Sequence, residues 1–422
     1  MQKKISMILF AISIFFLYQS LSIQLSPQIA SLCTDSRENI KKPDTFSYQA
    51  EELGCQIQAA TPSSLYARAY CVLDADSGRL LLGKQENEKM PMASTTKIMT
   101  CILALESGKL EETVTVSDYA AKMPDVQLNI CEGEQYLLKD LLYSLMLESH
   151  NDTAVAIAEH LGGSVEGFAE MMNEKAKELG CVNTHFVTPN GLDDPAHYTT
   201  AKELCMIGAY AIQNKEFLKI ISTKSYSFSD LSGKRSFTVN NHDAFLSQYS
   251  GAIGIKTGFT GNAGYCFCGA AKQKGTTLVS AVLACGWPPN KSYKWSDTKK
   301  LMDYGFQGFE TKTIPVSTQK IILPVDGGQS HSLSLKRVCE EDVSLPLSRQ
   351  DQITVTRQLP EKLSAPVRQG DIIGYENYCI NGECFLKIPL TASHDIKKTD
   401  YGYWLGQLFR LFAAGQSTNV NI

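Results

Sequence analysis

Ser94 and Lys97 stand three residues apart in "ASTTKIMT", at the start of an apolar helical stretch. A serine there sits in the positive field of a helix N-terminus, and the lysine lies one turn on along the same face. If burial lowers the lysine pKa, its neutral amine can take the serine proton and make the hydroxyl a nucleophile for acyl transfer. The pair alone is cheap, since a chain of this length shows about two such spacings by chance. Ser296/Lys299 and Ser317/Lys320 are two more instances. Read alone, Ser94 serves equally well as an N-cap.

Two further groups bear on the choice. Ser149 and Asn151, in "LESHNDTA", interrupt a strongly apolar helical pattern; the plain alternative is helix punctuation, with Asn151 or Asp152 capping the next helix. Lys256, Thr257 and Gly258, in "GIKTGFT", close an apolar strand. Gly258 lets a substrate lie against the strand edge, and Lys256 and Thr257 offer a cation and a hydroxyl to a carboxylate. The plain alternative there is a strand-to-turn exit. Ser-x-x-Lys, Ser-x-Asn and Lys-Thr-Gly start 55 and then 107 residues apart. In that order, each on its expected element, they resemble the signature set of the penicillin-interacting serine acyltransferases.

These groups need a scaffold. "YARAYCVLDADSGRLLLGKQ" reads as two strands around a turn, and a helix is expected from Ser94 to about Ser107, with Gly108 as its stop. Residues 136–180 are helix-rich, strands return at "GAIGIKTGF" and "GYCFCGAAKQKGTTLVSAVLACG", and a helix spans Trp295 to Tyr304. One sheet is therefore expected to be completed by both ends of the domain, with helices inserted between. After about Thr313 short alternating runs such as "SLSLKRV" and "ITVTRQL" predict a separate small all-β domain.

With 40 basic and 44 acidic residues, the net charge of −4 gives no general attraction to nucleic acid, which is not an expected partner. Lys3 and Lys4 before the apolar run Met7–Leu17 read as an export signal over 1–22, followed by a polar linker over 23–60. Thirteen cysteines are many for an exported chain. Most sit in apolar runs as small buried hydrophobes. Cys266 and Cys268 are expected on opposite strand faces, and only Cys379 and Cys384, flanking "INGE", look placed to pair. At 400–415 Tyr401, Trp404, Leu405, Leu408, Phe409 and Phe412 recur at three- and four-residue steps. They form one stripe of a helix too short to span a bilayer, preceded by Lys397 and Lys398, which predicts a helix lying on a membrane surface.

Over nearly its whole length the chain resembles the low-molecular-weight penicillin-binding proteins that act as D-alanyl-D-alanine carboxypeptidases. "HFVTPNGLDDPAHYTTAKELC" is similar to that family's Gly-Leu-Asp loop and the His-containing stretch after it, with Thr188 where Asn is common. The resemblance implies an α+β fold: a transpeptidase/β-lactamase-like antiparallel sheet flanked by helices, with a helical insertion. The catalytic domain is then 61–312, the small β domain 313–392 and the amphipathic tail 393–422. It implies Ser94 as nucleophile, Lys97 as base, Ser149 and Lys256 as a proton relay, and Asn151 orienting the substrate amide. It also implies Thr257, Gly258, Phe259, Thr260 and Lys294, where relatives often have Arg, as binding residues. The implied partners are peptidoglycan stem peptides ending in D-Ala-D-Ala, β-lactams and the outer face of the cytoplasmic membrane, with no metal or organic cofactor. A serine β-lactamase is the nearest alternative, but the Glu-x-x-Leu-Asn segment its class A members need is missing, "EMMN" at 170–173 lacking the leucine. A penicillin-binding sensor or scaffold without turnover is the other.

Overall fold

The computed structural model describes residues 44–315, 320–339 and 342–416, the last six as backbone. The expected signal segment and Ser317 lie outside these residues. Two compact units divide the chain, one formed by Ile57–Thr311, the other joining the stretch up to Gln56 to residues from Lys312 onward.

In the first unit an antiparallel sheet runs in the order Leu80–Lys84, Ala69–Asp74, Thr276–Leu283, Gly264–Gln273, Ala252–Thr260. Both ends of the unit build it, and most of the helices lie between, as the sequence pattern predicts. Its inner strands are apolar on both faces because helices cover both. Along Ala69–Asp74, Cys71 and Leu73 enter the larger core cluster while Tyr70 and Val72 enter a smaller one that includes Trp295 and Leu301. Ala252–Thr260 is an edge strand, with one side open for pairing.

The helix Lys97–Glu106 is buried at every residue from Lys97 to Ala104. A helix apolar on all faces belongs in a core, and Ile98, Met99 and Ile102 each contribute ~1.5–3 kcal/mol through burial. Gly108, at φ +71°, ends it in the left-handed conformation. Lys97 is the one charge in the buried run, so the core itself dictates its environment.

Among the described residues the second unit is all-β but for its terminal helix, Tyr401–Gln416. Its seven-stranded sheet begins with Asp44–Gln49, which pairs antiparallel with Gln352–Gln358. This corrects the expected linker over 23–60 where it covers Asp44–Gln49; residues 23–43 lie outside the described residues. Phe46 and Tyr48, alternating with Thr45 and Ser47, pack with Ala50 and Cys55 against this unit's core. That alternation is a strand signal in an otherwise polar stretch. Cys379 and Cys384 face each other across a hairpin and are disulfide-bonded. Cys266 and Cys268 correct another expectation: residues two apart in a strand share a face. Both lie in the larger cluster while Phe267 faces the smaller one, and both are free.

Candidate active site

Ala93–Thr96 forms a short 3-10 turn running into the helix Lys97–Glu106. Ser94 caps neither segment; its hydroxyl instead lies 3.0 Å from Lys97 Nζ. The same Nζ reaches Asn151 Oδ1 at 2.8 Å and the Asn190 carbonyl at 2.7 Å. Burial, then the cation of Lys256, hold the Lys97 pKa well below that of an ordinary lysine, against an opposing pull from Asp152. Asp152 is spent elsewhere, its carboxylate accepting from the Leu128, Ile130 and Thr153 amides at 3.0, 3.2 and 2.8 Å.

The three partners of Nζ fix where its lone pair points. Two are carbonyl oxygens, which accept only, and they occupy the two N–H groups of a neutral amine. The third, the Ser94 hydroxyl, is the one partner able to donate. The Asn151 oxygen is locked toward Lys97 because Nδ2 donates to the Pro124 and Asp125 carbonyls, both at 3.1 Å. With both ends of its side chain engaged, Asn151 holds the lysine. It is not a helix cap, His150 holding that position.

Ser149 joins the helices Leu138–Leu147 and Asn151–Gly162. Its φ of +72° is left-handed, which costs a residue with a Cβ roughly 1–2 kcal/mol. Its Oγ is buried without a hydrogen-bond partner. An orphaned buried hydroxyl of this kind calls for an explanation, and a ligand atom that completes its bonding is one.

On the edge strand, Lys256 is 2% exposed. Burial first, and the Lys294 cation further, push its pKa down to about 7, while Asp243 opposes. Gly258 permits the close approach of strand and turn: a Cβ there would stand 3.0 Å from Ser94 N and 3.1 Å from Ala93 Cβ. Phe259 is exposed, its ring 4.6 Å from that of Tyr265. Thr257 is half-buried on the same strand.

Two expected binding residues are placed differently. Thr260 donates its one hydroxyl proton to Asp193 Oδ1 at 2.7 Å and accepts from Ala263 N at 3.0 Å. Its hydroxyl is engaged on both sides in this structure. Lys294 is buried, with Nζ 4.6 Å from the Tyr265 ring centre and 4.8 Å from that of Trp295. Burial, then Lys291, lower its pKa to about 8, and its charge bears on the site through Lys256.

The D-alanyl-D-alanine carboxypeptidase profile matches residues 56–286, more than half of the chain. The chain belongs to that family. It is a serine-type peptidase, and residues 309–398 match the penicillin-binding protein 5 C-terminal domain. It is 30% identical to the D-alanyl-D-alanine carboxypeptidase DacF of Bacillus subtilis over 79% of this chain and 87% of that one. It is 31% identical to DacA of Haemophilus influenzae over 83% and 90%. Among solved structures, penicillin binding protein 5 from Haemophilus influenzae superposes with a TM-score of 0.67 at 29% identity, covering 81% of this chain and all of that one. A class A β-lactamase is not favoured.

Other residues of this carboxypeptidase support the site without being predicted. The loop carrying Asn190 wraps the nucleophile turn: Pro189 O accepts from Thr100 Oγ1 at 2.6 Å, and Gly191, at φ +85°, leaves no room for a Cβ against the Ala93 carbonyl. His197 Nδ1 accepts from the Val187 and Thr188 amides at 3.0 and 3.3 Å. Its proton is therefore on Nε2, which donates to Thr96 Oγ1 at 2.7 Å. The family-like loop was visible in the sequence, but Asn190 acts through a backbone carbonyl, for which no side-chain motif exists.

Proposed function

We propose that this protein removes the terminal D-alanine from peptidoglycan stem peptides through an acyl-enzyme on Ser94, outside the cytoplasm. The reading is carried by the fully buried Lys97 amine, whose one donating partner is the Ser94 hydroxyl. Neutral Lys97 takes the Ser94 proton as Oγ bonds to the carbonyl carbon of the penultimate residue. The N–H groups of Ser94 and Phe259 hold the oxyanion, each worth ~3 kcal/mol in comparable sites; the close approach of the strand to Ser94 N, where a Cβ on Gly258 would stand 3.0 Å away, supports this placement. Ser149 and Lys256 relay that proton from Lys97 to the departing D-alanine amine as the peptide C–N bond breaks, which returns Lys97 to its neutral form. Thr257 and the Lys256 cation hold the substrate carboxylate. Water then attacks the ester with Lys97 again as base, and Ser94 regains its proton. Penicillin acylates the same serine and leaves slowly.

The tail helix supports attachment to a membrane surface. Tyr401, Trp404, Leu405, Leu408 and Phe409 are all exposed, while the side chain of Phe412 lies outside the described residues. No helix among the described residues is long and apolar enough to cross a membrane.

Release of D-alanine from a diacyl-Lys-D-Ala-D-Ala tripeptide, with fluorescent penicillin labelling mapped by peptide sequencing, tests the reading. Turnover with the label on Ser94 is expected. Labelling without turnover would make the protein a sensor, and rapid loss of the label as hydrolysed penicillin, without tripeptide cleavage, a β-lactamase.

A further inference from the structure

The mechanism uses Ser149, yet its own hydroxyl anchors it to nothing, and its backbone sits in a conformation unfavourable to a side chain. The two residues flanking it lie against each other around it, and each is anchored elsewhere. His150 Nε2 lies 3.3 Å from Glu148 Oε2, and Glu148 Oε1 accepts from the Asn240 amide at 2.8 Å. His150 Nδ1 is 2.7 Å from Ser144 Oγ, and the His150 carbonyl accepts from Thr153 Oγ1 at 3.1 Å. The carboxylate beside Nε2 only accepts, which favours a proton on that nitrogen and leaves Nδ1 to pair with the Ser144 hydroxyl. Burial, then the charges of Lys97, Lys256 and His242, keep the ring neutral down to about pH 4.

Ser144, His150 and Glu148 have the composition of a catalytic triad. They are not one, because Ser144 is fully buried and His150 is 4% exposed, with Nδ1 paired to Ser144 and Nε2 closed off by Glu148. Their effect falls on the residue between them. Only Glu148, Ser149 and His150 separate the helices Leu138–Leu147 and Asn151–Gly162, so fixing the side chains on either side of Ser149 fixes its φ. Freed from them, the serine would relax toward an extended conformation and its Oγ would swing out of the site.

We propose that Glu148 and His150 form a clamp that holds Ser149 left-handed with its hydroxyl aimed into the site. His150 is thus a positioning residue for acyl transfer. This rests on the role given above to Ser149.

The test is a double-mutant cycle on the full chain, reading the second-order rate of penicillin acylation for Ser149→Ala, His150→Ala and the pair, with thermal unfolding as the fold control. Ser149→Ala is expected to slow acylation ~100-fold, as loss of a proton-transfer group does, and His150→Ala ~10-fold through misplacement. In the Ser149→Ala background, removing His150 should change the rate less than twofold, because the clamp then holds nothing that reacts. A further loss as large as in the wild type would overturn the clamp, as would a His150→Ala enzyme at full rate. If Ser149→Ala itself acylated normally, the role of Ser149 would fail instead, a distinct result. Should His150→Ala not fold, two closer mimics decide. His150→Gln can still donate to Glu148 and is expected to keep most of the rate, whereas His150→Asn, which reaches only Ser144, is not; equal rates would overturn the clamp.

Discussion

The Lys97 amine lies 2.8 Å from Asn151 Oδ1, and Asn151 cannot turn its amide round because Nδ2 is held by the Pro124 and Asp125 carbonyls. A neutral oxygen at that point takes an N–H from the lysine without stabilising an ammonium as a carboxylate would. Asn151→Asp should therefore raise the Lys97 pKa and leave it protonated at neutral pH. Acylation by penicillin should fall by ~100-fold or more at pH 7, with the deficit shrinking as pH rises. Wild-type rates with an unshifted pH profile would refute the assignment of Asn151.

Ser94→Ala should abolish both penicillin labelling and D-alanine release while leaving the unfolding temperature nearly unchanged, since a small residue fits the turn. Lys97→Arg should be almost as damaging, because Arg stays protonated at any working pH. Label recovered on Ser296 would disprove the first expectation, and rapid acylation of the Arg variant the second.

The pH dependence of kcat/KM should be a bell. Its acid limb rises as Lys97 loses its proton, at a pH well below that of an ordinary lysine. Its alkaline limb falls as Lys256 loses the proton it donates and the charge it offers, near pH 7. Lys256→Arg, which keeps its charge, should remove the alkaline limb at reduced maximum rate. An unchanged limb would assign it to another group.

His150 and His197 are both buried, and burial holds each pKa near 4, below the ordinary histidine value of 6.5. The unfolded chain therefore takes up these protons first. Their contribution is whole above pH 6.5 and is lost as pH falls from there toward 4, up to ~3 kcal/mol for each ring. Thermal unfolding measured across that window should show the decline, and His150→Gln/His197→Gln should flatten it. A double variant with the wild-type slope would contradict this.

Truncation after Asp395 should leave a soluble, active enzyme, whereas the chain with its tail should sediment with membranes. Full-length protein remaining in the supernatant at low salt without detergent would show that the Tyr401–Phe409 stripe does not bind a bilayer.

The sequence alone singled out Ser94, Lys97 and the strand carrying Lys256, because Ser-x-x-Lys, Ser-x-Asn and Lys-Thr-Gly depend on residue type and spacing on a helix start, a helix break and a strand. It also determined the sheet closed by both ends of the domain, through period-two and helical patterns that each element must satisfy on its own. The alternation of Phe46 and Tyr48 was equally legible, but its partner Gln352–Gln358 lies some three hundred residues away, and short-range patterning says nothing of long-range pairing. Only the tertiary structure brought Asn151 Oδ1 and the Asn190 carbonyl to Lys97, and Asp193 to the Thr260 hydroxyl. Each of these is a hydrogen bond between segments far apart in the chain, and which donor meets which acceptor is set by packing. The lowered pKa of Lys97 has the same origin, since desolvation belongs to the folded core and to no single residue.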